Sequence, residues 1–293
     1  AGFALNQNLV TSRLVPWSIS YEPLGVLVFL VCLGYVVADR FFSNERRLAA
    51  ITYELETARE IQTSILPKRE PSVEGARIAA RYIPMTEVGG DFYDFLLVDG
   101  KHLGILVADV SGHGVPAALV ASMVKVAVSA QKEHSHDPAR VLHEINQILC
   151  GKMERAYVTA AYLFLDMERG VLLSANAGHP PVIVHAAADG KTRRLSENGL
   201  PLGLFTHATY QNTEANLVKG GRVIMYADGI IEATDAAGDF FGDARFIDFV
   251  HAARESTPEV FVDQLIKHLK SWSGRDSQAG LDDDVTLIVI DAT

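Results

Sequence analysis

Two strand-forming segments of this chain are apolar at nearly every position, not only at alternate ones. They have the sequences HLGILVA (residues 102–108) and TLIVI (residues 286–290). A strand with one face in water alternates apolar and polar residues, whereas a continuous apolar run indicates that both faces are covered. Two packed sheets with helices outside them, an α+β sandwich, would cover both faces of such strands.

The other elements follow from apolar periodicity and turn residues. The predicted strands cover 77–84, 92–98, 102–108, 158–166, 171–177, 182–185, 209–217, 222–227 and 285–290. The predicted helices cover 115–132, 138–152, 244–253 and 258–272. Asp137, Asp243 and Thr257 are predicted to cap the last three helices, because short polar side chains satisfy the first free N–H groups of a helix.

Four aspartates stand at the ends of apolar, strand-forming runs. They are Asp91 in GGDFYDF, Asp109 in VADVSGHG, Asp228 in IMYADGI and Asp283 in LDDDVTLIVI. A sheet that aligned these strand ends would gather the carboxylates at one rim, where they repel one another unless a cation neutralises them. Oxygen-only ligation suits Mg²⁺ or Mn²⁺, and no paired Cys and His spacing indicates zinc. A single aspartate in such a place more often belongs to a turn, but four of them favour a metal site.

An uncharged apolar segment lies near the N-terminus. Residues 24–38 (LGVLVFLVCLGYVVA) carry no charge, and with their apolar flanks they approach the length of a membrane helix. We predict a transmembrane helix over 23–40, preceded by residues 1–22 as the end of an upstream extracytoplasmic or membrane region. The alternatives are a signal peptide that ends before Asp39 and a buried core helix. Because the chain begins with Ala1 and not Met, we expect it to be the C-terminal part of a longer protein.

Positive charge follows the apolar segment at once. Arg40, Arg46 and Arg47 stand on its C-terminal side. The positive-inside rule then places the rest of the chain in the cytoplasm, at the inner (cytoplasmic) membrane.

Residues 41–66 are predicted to form a helical linker that ends at Pro67. Its apolar seam is spaced alternately by three and four residues and consists of Leu48, Ile51, Leu55, Ala58, Gln62 and Ile65. This is the spacing of a short coiled coil, which predicts a homodimer through the linker. The alternative is a lone amphipathic helix that lies on the C-terminal domain.

Charge and cysteine content exclude some functions. The formal net charge of −10 and a pI near 5.4 argue against nucleic acid as a partner, because phosphate neutralisation needs a basic face. Cys32 and Cys150 lie in unlike surroundings, so no disulfide is predicted.

The ordered motifs resemble the metal-dependent PPM-type serine/threonine phosphatases, in the bacterial SpoIIE-like branch. The motifs are ELETAREIQTSILP, GGDFYDF, ADVSGHGVPAALVASMVK, NAGHPP, GLPLGL, YADGIIEA and DDDVTLIVI. The resemblance implies an αββα sandwich, with residues 67–293 as the phosphatase domain and a site for two Mn²⁺ or Mg²⁺ ions at the sheet edge.

The resemblance implies a role for each residue of the metal site. Asp109 resembles the ligand that bridges both ions, and the backbone carbonyl of Val110 resembles a ligand of the first. Asp91 resembles the acidic residue on the first ion's side, and Asp228 and Asp283 resemble ligands of the second. Within the Asp282-Asp283-Asp284 triple, this assignment depends on aligning Asp-Asp-Val-Thr with the family motif.

The resemblance also implies a mechanism and a substrate. A water shared by the two ions would attack phosphoserine or phosphothreonine in line, without a protein nucleophile. The implied substrate is a phosphorylated anti-sigma-factor antagonist or a similar small phosphoprotein. His113 and His179 invite acid/base roles, but structural hydrogen bonding is the prediction for each.

The sequence also leaves two alternative functions. GGDFYDF superficially resembles the GGDEF signature of diguanylate cyclases, but Phe92 stands where that signature has an acidic residue, and Asp228 would have no role. The second is a membrane-tethered interaction module without catalysis.

Overall fold

Strands from the whole C-terminal region assemble into two antiparallel sheets. The computed structural model describes residues 22–153, 156–186, 190–195, 199–274 and 282–293. The strands are β1 (Ala76–Ile83), β2 (Phe92–Leu97), β3 (His102–Val110), β4 (Val158–Asp166), β5 (Val171–Ala177), β6 (Val182–His185), β7 (Thr192–Leu195), β8 (Thr213–Asn216), β9 (Arg222–Tyr226) and β10 (Val285–Ala292). The helices are α1 (Glu22–Ile65), α2 (Val115–Ser129), α3 (Pro138–Leu149), α4 (Gly242–Ala252) and α5 (Pro258–Trp272), with 3₁₀ turns at Lys132–His134 and Asp228–Ile230.

In the described part of the chain, each sheet contains five strands. The order is β1-β10-β9-β6-β7 in the first sheet and β2-β3-β4-β5-β8 in the second. Strand β10 shows why its sequence is continuously apolar. Its Ile288 and Ile290 pack into a core shared with the second sheet, whereas Leu287 and Val289 pack into a separate core on the other face. The prediction that these strands are covered on both faces is confirmed.

The helices cover the outer faces of the sandwich. Helices α2 and α3 pack on the second sheet, and their buried residues, among them Val124 and Ile145, join the larger core. Helices α4 and α5 pack on the first sheet, where Phe246 and Phe261 join the smaller core. The layers are therefore helix, sheet, sheet and helix, and the predicted αββα fold is confirmed.

The structure departs from the predicted elements at the sheet edges. The strand predicted over 209–217 is limited to Thr213–Asn216, which pairs only with β5. Strand β7 was not predicted, because its sequence TRRL is mostly polar and it pairs only along β6. The predicted cap at Asp243 is wrong, since α4 begins one residue earlier and Asp243 lies within its first turn. Asp137 does cap α3, accepting the backbone N–H of Arg140 at 3.3 Å.

Helix α1 belongs to two parts of the chain. It has 44 residues and a length of about 66 Å, and the chain divides into two compact units between Glu56 and Thr57. The large apolar side chains from Leu24 to Val37 are exposed. Among the described residues, α1 is the one helix that is long and apolar enough to cross a membrane.

Candidate metal centre

The four predicted aspartates lie at strand ends in both sheets. Asp91 directly precedes β2 and Asp109 is the next-to-last residue of β3, so the antiparallel register of these strands brings both to the same end. Asp228 begins the 3₁₀ turn after β9, and Asp283 lies two residues before β10. Each sheet therefore contributes two carboxylates to one rim of the sandwich.

Asp91 is buried and is tied to the opposite sheet. Its side chain is 2% exposed, and its Oδ2 accepts a hydrogen bond of 2.6 Å from the hydroxyl of Thr286 on β10. Burial raises the pKa of Asp91 well above its usual range, and the charge of Asp109 raises it further. The Thr286 hydrogen bond acts in the opposite direction, because it stabilises the ionised carboxylate.

The other carboxylates share this electrostatic environment. Burial, followed by the charges of Asp228 and Asp283, raises the pKa of Asp109 to about 7. The pKa values of Asp228 and Asp283 are also raised, in each case chiefly by burial. These groups therefore repel one another when ionised, and a divalent cation would relieve that repulsion.

The carboxylates do not form a closed ligand set. Among the residues that the structure describes, no three His, Cys, Asp or Glu side chains come close enough together to hold a metal ion. The donors at the rim are nevertheless oxygen atoms with high negative charge, which is the set that suits Mg²⁺ and Mn²⁺. The chemistry of the site thus fits such ions, although its side chains do not converge on one point.

The absence of a side chain at Gly90 leaves room for a cation beside the Val110 carbonyl. A Cβ atom at Gly90 would lie 2.8 Å from the carbonyl oxygen of Val110 and 3.2 Å from that of Gly112. A larger residue at position 90 would press on the Val110 carbonyl, which the resemblance assigns to the first ion. Glycine in the GGD motif keeps this oxygen accessible.

The three consecutive aspartates have different partners. The carboxylate of Asp284 accepts hydrogen bonds from the backbone N–H groups of Met85 (2.7 Å), Gly90 (2.6 Å) and Asp91 (3.2 Å). Asp282 accepts hydrogen bonds from the backbone and the hydroxyl of Thr234. Asp284 therefore holds the loop that carries Asp91. The assignment of Asp283 to the second ion stays a prediction, which this division of partners supports.

Two ionisable residues near the rim differ from expectation. Glu232 was not predicted, yet its charge raises the pKa values of Asp109 and Asp228. It follows Asp228 by four residues in YADGIIEA, and this spacing of one turn was the available signal. His113 is exposed, and no hydrogen bond joins its side chain to the described part of the chain. Its charge lowers the pKa of Asp283.

The end of α1 is attached to the same loop. Gln62 is 6% exposed, and its amide group donates a hydrogen bond to the carbonyl of Gly89 (2.6 Å) and accepts one from its N–H (3.1 Å). Gln62 was predicted to lie in a coiled-coil seam, but the structure buries it against the loop that leads to Asp91. Ile65 also packs on the larger core. The last turns of α1 thus lie on the sandwich, as the alternative of an amphipathic helix predicts.

Comparisons with known proteins identify the class. The family model "Stage II sporulation protein E (SpoIIE)" matches residues 99–293. The SiaA-PP2C domain of Pseudomonas aeruginosa aligns with 83% of this chain and 97% of its own at a TM-score of 0.71 and 26% identity. This fold therefore belongs to the PPM (PP2C) phosphatase class. The chain belongs to the SpoIIE family, and the resemblance seen in its sequence is confirmed.

Two curated proteins of Bacillus subtilis are also similar. Phosphoserine phosphatase RsbU is 30% identical over 210 residues, which are 71% of this chain and 62% of RsbU. Phosphoserine phosphatase RsbP is 31% identical over 187 residues, which are 62% of this chain and 46% of RsbP. The chain thus spans roughly half to three-fifths of these relatives.

Proposed function

We propose that this chain is a metal-dependent phosphatase that removes phosphate from serine or threonine residues of a protein in bacterial signal transduction. The observation that supports this most is the set of four aspartates at one rim, which come from both sheets and raise one another's pKa values. The names of the relatives RsbU and RsbP support phosphoserine as a target.

The proposed cofactor is a pair of Mn²⁺ or Mg²⁺ ions. Asp91, Asp109, Asp228, Asp283 and the carbonyl of Val110 are the groups proposed to hold them. When bound, such ions supply an activated water and stabilise charge on the phosphoryl oxygens. The surrounding residues act on the carboxylates: Asp284 fixes the loop before Asp91, and Thr286 orients the Asp91 carboxylate itself.

The proposed substrate is a phosphorylated anti-sigma-factor antagonist or a similar small phosphoprotein. A net charge of −10 is unsuited to nucleic acid and makes a long acidic substrate unfavourable. A folded protein that presents one phosphorylated side chain meets this constraint.

Phosphate release from a phosphoserine protein tests the proposal. The full chain in detergent should be active with Mn²⁺, inactive after chelation and active again when Mn²⁺ is restored. Asp109→Asn with an unchanged circular dichroism spectrum is the matched control. Wild-type protein that folds and binds Mn²⁺ but releases no phosphate would favour the non-catalytic module, and turnover of GTP to a cyclic dinucleotide would favour the cyclase.

Thiol alkylation provides a second control on the chemistry. Cys150 is half-buried at the end of α3, with its Sγ 3.4 Å from Oδ1 of Asn146. No cysteine takes part in the proposed reaction, so activity should survive alkylation of folded protein.

We also propose that the first part of α1 anchors the protein in the inner membrane with the phosphatase domain in the cytoplasm. The length and apolar surface of α1 support this, together with Arg40, Arg46 and Arg47 after the apolar segment. Dimerisation is proposed through Leu48, Ile51 and Leu55, because Gln62 and Ile65 already pack on the sandwich. Protease protection in membrane vesicles tests the first proposal.

A further inference from the structure

His179 is a buried imidazole that the proposed chemistry does not use. It lies in the turn between β5 and β6 and is 4% exposed. The side chain of Asn176 bonds the backbone of His179 twice. The Oδ1 of Asn176 accepts a hydrogen bond from the N–H of His179 (2.8 Å), and the Nδ2 of Asn176 donates one to the carbonyl of His179 (2.8 Å). The backbone of His179 is therefore fixed within the NAGHPP turn.

The ring contacts β4, which pairs with the strand that carries Asp109, and β9, which leads to Asp228. Its Nδ1 is 2.8 Å from the hydroxyl oxygen of Thr159 on β4. Burial lowers the pKa of the ring to about 3, and a smaller opposing effect comes from the backbone of Tyr226 on β9, which lies within interaction distance of the ring. Nε2 is buried and makes no hydrogen bond of normal geometry with the described residues. The imidazole is thus neutral at physiological pH and forms one side-chain hydrogen bond, to Thr159.

Thr159 is the direct neighbour of Asp109. The two residues face each other in the antiparallel register of β3 and β4. Facing side chains lie on the same side of a sheet with Cβ atoms about 4.5–5.5 Å apart. A hydroxyl at that distance can donate to a carboxylate, which only accepts when it is ionised. When the neutral imidazole of His179 carries its proton on Nε2, Nδ1 accepts the hydrogen bond of this hydroxyl. The hydroxyl then has no further proton to donate, so it does not compete with cations for the carboxylate oxygens.

We propose that His179 is a positioning residue of the metal site, which engages the Thr159 hydroxyl and so leaves the Asp109 carboxylate available to cations. This inference rests on the proposed function. It gives the turn between β5 and β6 a role in metal affinity, although none of its residues would touch a metal ion.

The test is Mn²⁺ affinity, measured by calorimetry on the full chain in detergent without substrate. His179→Phe keeps a ring in the buried position but frees the Thr159 hydroxyl to bond Asp109. A hydrogen bond to a charged group is strong enough to weaken Mn²⁺ binding about tenfold. The double variant Thr159→Val with His179→Phe removes the competing hydroxyl as well, so its affinity should return to within about threefold of the wild type.

That recovery separates positioning from a structural role. If His179 only supports the turn, the double variant will bind Mn²⁺ no better than His179→Phe, and the inference is overturned. Unchanged affinity in a folded His179→Phe variant overturns it too. Should His179→Phe fail to fold, His179→Leu with and without Thr159→Val provides the same comparison, because Leu also leaves the Thr159 hydroxyl without a partner at position 179. A wild-type chain that binds no Mn²⁺ would instead overturn the proposed function.

Discussion

At the scale of single residues, three neighbouring aspartates show how position decides role. Asp282 bonds Thr234, Asp284 holds the backbone of the loop at Gly90, and Asp283 lies with its charge close to Asp228. Carboxylates that accept backbone N–H groups contribute to stability, whereas a carboxylate beside other carboxylates destabilises the fold unless a cation is present.

This division predicts different results for three substitutions. Asp283→Asn should lower kcat/KM by about a hundredfold or more, because it removes a charge from a metal ligand. Asp282→Asn should change it less than tenfold. Asp284→Ala should lower the free energy of unfolding by about 1–3 kcal/mol, because it leaves buried N–H groups unpaired. Phosphate release and thermal unfolding measure these effects. Reversal of the order of Asp282 and Asp283 would move the metal ligand one residue along the chain.

The raised pKa of Asp109 predicts how pH affects the metal-free protein. The folded state binds this proton up to about pH 7, but in the unfolded chain the pKa is near the usual value of 3.8. Between pH 3.8 and pH 7 the unfolded chain therefore binds fewer protons than the folded chain does. The stability that comes from protonating Asp109 is fully present below about pH 3.8 and is lost as the pH rises through 7.

Thermal unfolding in a chelator checks this expectation. The melting temperature of the metal-free chain should fall between pH 6 and pH 8, and Mn²⁺ should raise it most at pH 8. Asp109→Asn should make the melting temperature less sensitive to pH in the chelator, since Asn does not titrate. The charges that face Asp109 belong to Asp91, Asp228, Asp283, Asp284 and Glu232, and none of them is removed in that variant. An equally steep pH dependence in Asp109→Asn would contradict the prediction.

At the scale of elements, the sequence predicted those strands and helix ends that depend on a local pattern of residues. Continuously apolar runs located the central strands β3 and β10, and Asp137 with Pro138 located the start of α3. The polar edge strand β7 was missed, because only its pairing with β6 makes it a strand. Likewise, the positions of the aspartates at strand ends could be predicted from the sequence. The hydrogen bonds that Thr286, Asp284 and Gln62 make to Asp91 and its loop could not, because they join residues far apart in the chain.

The contact of α1 with the GGD loop leads to a prediction for Gln62. Gln62→Ala would leave the N–H and carbonyl of Gly89 buried without their partner. We expect the free energy of unfolding to fall by about 1–3 kcal/mol. Ser64→Ala is the matched control, because the Ser64 hydroxyl bonds only within the helix, to the carbonyl of Ile61. Equal stability of the two variants by chemical denaturation would mean that water replaces the Gln62 amide.

At the scale of the whole molecule, α1 includes both the proposed membrane anchor and, at its C-terminal end, the residue Gln62 that contacts the loop before Asp91. Residues on either side of Glu56 have different surroundings: Leu48 and Ile51 are exposed, whereas Gln62 and Leu66 are buried on the sandwich. The exposed part of the seam is the part left for pairing with a second copy. A change in that pairing is a short physical route from the membrane to the metal site, provided that two states differ by only a few kcal/mol.

Leu55→Asp tests whether that route exists. Leu55 is half-buried in the seam, so a charge there should weaken self-association and change the phosphatase rate of the same protein. Ala49→Asp adds the same charge to an exposed position outside the seam and should change neither property. Sedimentation in detergent measures the first property and phosphate release the second. A Leu55→Asp variant that becomes monomeric yet keeps the wild-type rate and Mn²⁺ affinity would mean that α1 is a tether alone, because the route requires association and activity to change together.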